Sequence, residues 1–95
     1  MSDTRKRYYA DDLHMSRAQA KNALCVAFGQ YLRKLRGEMS ITEFAAVTGM
    51  SRGHLSELEH GKREPGLLTI QTIAGGLGMS ISALMRGVER SLRER

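Results

Sequence analysis

The chain has 95 residues, 41% of them hydrophobic and 26% charged, which is mass for one globular domain and excludes both a disordered chain and a large multidomain enzyme. Fifteen Lys and Arg against ten Asp and Glu leave a formal charge of +5, which suits a polyanionic partner and equally suits a merely solubilising surface. Aromatic residues are 5%, Trp is absent and no run of alternating β-branched residues occurs, so an all-α fold is predicted.

Residues 1–15 read as a polar tail in which Arg5-Lys6-Arg7 is followed by Tyr8-Tyr9 and Asp11-Asp12. Its charges cancel, so it is either a frayed terminus or a short basic arm that follows a nucleic-acid groove. A helix is predicted to start at Arg17, because Ser16 and Gln19 have the spacing of a capping box. Ala20, Leu24, Ala27, Phe28, Tyr31, Leu32 and Leu35 then recur at three and four residues, one apolar stripe that Gly37 ends. Ser40 and Glu43 form a second capping box, ahead of Phe44, Ala45 and Thr48 and a stop at Gly49. Ser51 caps a third helix whose buried face is Leu55 and Leu58 and whose stop is Gly61. The join is only Gly49-Met50-Ser51, too tight for antiparallel helices, and it matches the crossed pair of a helix-turn-helix.

Lys62 to Pro65 is a charged loop, with Pro65 barring a continuous helix. From Leu67 to Met85 no residue is charged. A fourth helix is expected from Thr69 to Gly78, burying Ile70, Ile73, Ala74 and Leu77. Gly75 and Gly76 inside it each lose about 1 kcal/mol of helix propensity relative to Ala, which implies a closely packed neighbour. Ser80 caps a fifth helix with Ile81, Leu84, Met85, Val88 and Leu92 on one side. So much uncharged sequence exceeds what a monomer this small needs to bury, and a homodimer through Ile81, Leu84, Met85 and Val88 is expected. The predicted architecture is therefore a polar extension (1–15), a compact five-helix bundle containing a helix-turn-helix (16–88) and a charged end (89–95).

Residues Met39 to Met85 resemble the helix-turn-helix domain of the Xre and phage-repressor family, to which the lambda repressor and Cro belong. Met39-Ser40-Ile41-Thr42-Glu43-Phe44-Ala45 stands where that family has Leu-Ser-Gln-Glu-Glu-Leu-Ala, and Gly49-Met50-Ser51 is similar to its Gly-Val-Ser turn. Leu55-Ser56-Glu57-Leu58-Glu59-His60-Gly61-Lys62 resembles its Ile-Ser-Arg-Ile-Glu-Arg-Gly-Lys, and Pro65, Ile70, Ala74, Leu77-Gly78-Met79-Ser80 and Leu84 keep the register without a gap. The resemblance implies that the helix capped by Ser51 reads base edges in the major groove of double-stranded DNA. Arg52 is then the first candidate reader, since its fork matches guanine O6 and N7. His54 and Ser56 stand where relatives contact bases or phosphates. Glu57 either accepts from a cytosine amine or repels phosphate. Ser40 and Thr42 are placed to meet phosphate at a helix N-terminus, and Lys62 and Arg63 to clamp it. Two substitutions depart from the pattern: the family's phosphate-anchoring Gln is Ile41, and Gly53 occupies a base-reading position without a side chain. The loop before Met39 is also about two residues shorter than the family's. The resemblance further implies a buried-type ion pair between Arg36 and Glu59.

Other chemistry has little support. His14, His54, His60 and Cys25 show no zinc-ligand spacing, and no metal or cofactor is expected. Cys25, without a second cysteine, reads as an inert core or interface thiol in a reducing compartment, with oxidant sensing as the alternative if it is exposed. The six Met residues read as core filler. The chain has little mass to build a catalytic pocket, so no enzyme is expected. No apolar run reaches membrane-span length and none follows the charged start, so a cytoplasmic protein without membrane contact is expected. The leading reading is a sequence-specific double-stranded DNA-binding transcriptional regulator, a repressor before an activator, acting as a homodimer on two half-sites. The alternatives are an antitoxin or other module that captures a protein partner, and an RNA binder using the same basic face.

Overall fold

The computed structural model describes residues 15–94, and the described residues form five helices and no strand. The basic arm at Arg5-Lys6-Arg7 and His14 lie outside them. Helix α1 is Arg17–Arg36, α2 Ile41–Thr48, α3 Arg52–Glu59, α4 Leu67–Gly76 and α5 Ile81–Arg93. Four of the five begin on a serine whose hydroxyl accepts a backbone N–H three residues on: Ser16 from Gln19, Ser40 from Glu43, Ser51 from His54 and Ser80 from Ala83. In the first two the box is closed, since Ser16 N–H donates to Gln19 Oε1 at 2.8 Å and Ser40 N–H to Glu43 Oε1 at 3.0 Å. These bonds satisfy donors that a helix start otherwise leaves orphaned.

Helix α4 starts at Leu67, two residues before the expected Thr69, on an extended Gly66 with no side-chain cap. It ends at Gly76, earlier than Gly78, because Met79 N–H bonds back to the Ala74 carbonyl at 2.8 Å and Gly78 N–H to that of Gly75 at 3.1 Å, a Schellman closure. The chain then turns through 103° into α5. No single helix among the described residues is long and apolar enough to cross a membrane.

All five helices feed one core: Ala27, Phe28 and Leu32 from α1, Phe44 from α2, Leu55 and Leu58 from α3, Ile70, Ile73 and Ala74 from α4, and Leu84 and Val88 from α5. This corrects two expectations. Leu24 is 45% exposed while Cys25 is buried, so the inward arc of α1 runs one residue away from the stripe near its start. Leu84 and Val88 are each 1% exposed, so these two are not a free face for a second copy, while Met85 is half-buried against the same core. The reason is α1: α5 lies along it, and Tyr31 sits so closely over Gly87 that a Cβ there would run into its ring. Of the four expected interface residues Ile81 is 45% exposed and Met85 half-buried. The helix also continues unbroken through 89–93, burying Ser91.

Two glycines let backbones touch. A Cβ at Gly29 would lie 2.5 Å from the Leu58 carbonyl oxygen and 2.6 Å from that of Glu59, and one at Gly76 would lie 2.5 Å from the Val47 carbonyl oxygen. The close neighbour expected for the α4 glycines therefore exists at Gly76 and not at Gly75, which has open space. Gly29→Ala is expected to destabilise the fold by roughly 1–3 kcal/mol despite the better helix former. Gly75→Ala is expected to stabilise it by about 0.5–1 kcal/mol. Urea denaturation of the two variants checks both signs.

The capping box of α2 adds a pH test. The Ser40 backbone N–H, and then its hydroxyl, hold the Glu43 carboxyl below its ordinary value of 4.5. A lowered folded-state value means stability that is full above the ordinary value and is lost as pH falls through the lowered one. The difference in melting temperature between the native protein and Glu43→Ala is expected at neutral pH and to shrink as the pH drops below 4.5.

Candidate nucleic-acid interface

On a helix of about 100° per residue, positions 52, 53, 56, 57 and 60 share one arc of about 140° opposite Leu55 and Leu58. In α3 that arc is the solvent side: Arg52, Gly53, Glu57 and His60 are exposed and Ser56 half-buried, while Leu55 and Leu58 are at 0%. The outward strip therefore holds Arg52, Gly53, Ser56 and Glu57 of the expected readers, and adds His60. His54 is half-buried and lies off this arc. His60 was not among the expected readers. In the structure its Nδ1 sits 2.7 Å from the Ser56 carbonyl, and it lines an open cleft of about 460 Å³ with Arg36, Ile41, Arg52, Gly53, Ser56 and Glu59. The missing side chain at Gly53 opens this space beside Arg52.

Helix α3 is held there by three constraints. The turn from α2 depends on Gly49 at φ 75°, where its N–H reaches the Ala45 carbonyl at 2.8 Å and a residue with Cβ is strained. The buried Thr48 donates its hydroxyl to the Phe44 carbonyl at 2.8 Å. At the far end, Arg36 forks onto Glu59 with Nε–Oε2 at 2.8 Å and Nη2–Oε1 at 3.0 Å, and its Nη1 donates to the Met39 carbonyl at 3.0 Å. Glu59 is 4% exposed, and its hydrogen bond holds the guanidinium more firmly protonated than usual. Arg36 is thus committed to joining α1, the start of α2 and the end of α3.

Around the strip, Ser40, Thr42 and Ser51 are exposed at the starts of α2 and α3. The Ser40 and Ser51 oxygens accept intrahelical bonds, and the Ser51 hydroxyl proton can donate outward. Beyond α3, Lys62 and Arg63 are exposed, with Arg63 Nε 3.4 Å from Glu57 Oε1. Burial pushes the Cys25 thiol up, with Glu64 adding to the effect, so it is a poor nucleophile. Among the described residues no group of three His, Cys, Asp or Glu could hold a metal ion.

A helix-turn-helix family model matches residues 30–84. The chain is 36% identical over 72 residues to the control protein C.MunI of a Mycoplasma species, covering 73% of this chain and 97% of the relative. The chain belongs to the Xre and phage-repressor helix-turn-helix family. It is 32% identical over 68 residues to the immunity repressor of Bacillus phage phi105, covering 70% of this chain and 46% of that protein. The solved structure of the clp gene regulator ClgR from Corynebacterium glutamicum superposes with a TM-score of 0.66 at 29% identity, covering 75% of this chain and 78% of that one. Membership makes this a DNA-binding transcriptional regulator.

The ion pair behind that helix gives a test. Arg36→Ala leaves the buried Glu59 carboxylate alone and is expected to lower stability by about 3 kcal/mol. Arg36→Lys keeps the charge without the fork and recovers only part, whereas Arg36→Met with Glu59→Leu recovers most of it. Denaturant midpoints of the three variants decide.

Proposed function

We propose that the protein is a sequence-specific repressor that occupies a two-half-site operator as a homodimer, with α3 of each copy in the major groove. The observation that carries this reading is the outward strip of α3, which presents Arg52, Ser56, Glu57 and His60 on a helix fixed at both ends. Arg52 leads the strip and reads guanine by two hydrogen bonds. Ser40, Thr42 and Ser51 meet the backbone at helix N-termini, and Lys62 and Arg63 close on phosphate beyond α3. His54, off the strip, keeps only a flanking contact. The dimer surface includes Ile81 and not the buried Leu84 and Val88. A control protein of nearly the same span and a phage immunity repressor among the relatives favour promoter occupation in the cytoplasm.

A protein partner is a second reading, favoured by Leu67 and Leu68, which are 85% and 74% exposed at the start of α4. Co-purification with the product of the neighbouring open reading frame would favour it.

Footprinting on the DNA that flanks the protein's own gene, at about 150 mM salt, tests the first reading. Two protected half-sites about 10 base pairs apart are expected. Arg52→Ala is expected to weaken that footprint by about 1–3 kcal/mol and to leave binding to arbitrary duplex nearly intact. Equal loss on both DNAs removes Arg52 from the readers.

A further inference from the structure

Among the side chains on the outward strip of α3, Glu57 is the acid. A carboxylate on a face that meets a polyanion opposes binding, and what offsets it here is in the loop that follows. Gly61, at φ 69°, reverses the chain. Gly61 N–H then bonds the Leu58 carbonyl at 3.1 Å, and Lys62 N–H bonds the Glu57 carbonyl at 2.9 Å, the paired closure of a Schellman motif. This lays the loop back over the last turn of α3 and sets the next residue, Arg63, against Glu57, with Nε and Oε1 3.4 Å apart. Backbone geometry therefore presents the two partners to each other. Both are about half exposed, 53% and 48%, so water screens the pair and a phosphate held at the right place can displace the carboxylate.

We propose that the Glu57–Arg63 pair is a gate against non-specific DNA. Closed, it withholds Arg63 from phosphate and puts a carboxylate where a loosely held duplex would approach. It opens when α3 is seated in a groove that fits it: Arg63 transfers to a phosphate, and Glu57 is freed toward the groove floor, where a cytosine amine can donate to it. The gate acts on the quantity that governs binding to arbitrary sequence, the number of phosphates neutralised. Each neutralised phosphate contributes about 0.9 to the slope of log affinity against log salt, so a closed gate subtracts about one such unit from non-specific binding. It rests on the reading of α3 as the DNA-facing helix.

The test is fluorescence anisotropy of the full chain with a labelled duplex of arbitrary sequence, across about 50 to 200 mM salt. Native protein, Glu57→Gln, Arg63→Gln and the double variant are compared. Glu57→Gln is expected to bind this duplex severalfold more tightly and to steepen the salt slope by about 0.9. In the Arg63→Gln background the same change is expected to leave the slope where it was. An unchanged slope in the native background, or an equal steepening in both, overturns the gate. So does a Glu57→Gln variant that binds arbitrary duplex as before and loses the footprint on its own flanking DNA, which would make Glu57 a base reader alone. The failure of the underlying reading looks different: the native protein itself would then show no salt-dependent hold on duplex, and the gate would fall with it.

Discussion

The pair between Arg36 and Glu59 is the contact on which the reading face depends. Arg36 is the last residue of α1 and Glu59 the last of α3, and the third donor of the guanidinium reaches the Met39 carbonyl just ahead of α2. One side chain thus ties three segments that the sequence separates by 23 residues. The carboxylate is almost fully out of water, where an unpartnered charge is strongly disfavoured. The planar fork of arginine satisfies both of its oxygens while keeping one donor for the backbone, which explains why this cation is internal while most of the others stand in solvent.

The remaining positional control comes from backbone contact more than from side-chain bulk. With few aromatics, the chain brings helices together by omitting side chains where they cross. Gly29 lets α1 touch the end of α3, and Gly76 lets α4 touch the end of α2. The two helices of the motif are therefore each seated on a neighbour at their C-terminal ends and joined to each other through Gly49. A displacement of α1 is passed directly to α3, because nothing compressible lies between Gly29 and the Leu58 carbonyl.

Much of this was legible from residue order. The serine caps, the glycine stops at Gly49 and Gly61 and the register of Leu55 and Leu58 are local signals, and local signals define helix ends well. The Arg36–Glu59 pair was legible only through the family resemblance, since charge and spacing do not say which cation a distant carboxylate meets. What failed was the partner of an apolar face. Leu84 and Val88 have the periodicity of any buried stripe, and periodicity does not distinguish a second copy from α1 of the same chain. Gly87, which lets Tyr31 close onto α5, was the available clue. The outward position of His60 was not read from the sequence, because a residue one position past a helix stays on its outward arc only when the chain closes back, here by the left-handed Gly61.

The two departures from the family pattern gain physical meaning together. Ile41 stands where the family pattern has a phosphate-anchoring amide, and it lines the same cleft as His60, Ser56 and Arg52. Gly53, at a position where the family pattern has a base reader, lines that cleft with open space beside it. The start of α2 is left with the exposed hydroxyls of Ser40 and Thr42, while Glu57 holds the cation just beyond α3. On the proposed reading such a face makes fewer unconditional phosphate contacts, and what a fitted site adds is base-edge hydrogen bonds. For a regulator of this size, with one short helix to read with, lowering the non-specific background raises the specificity ratio as effectively as adding a contact would.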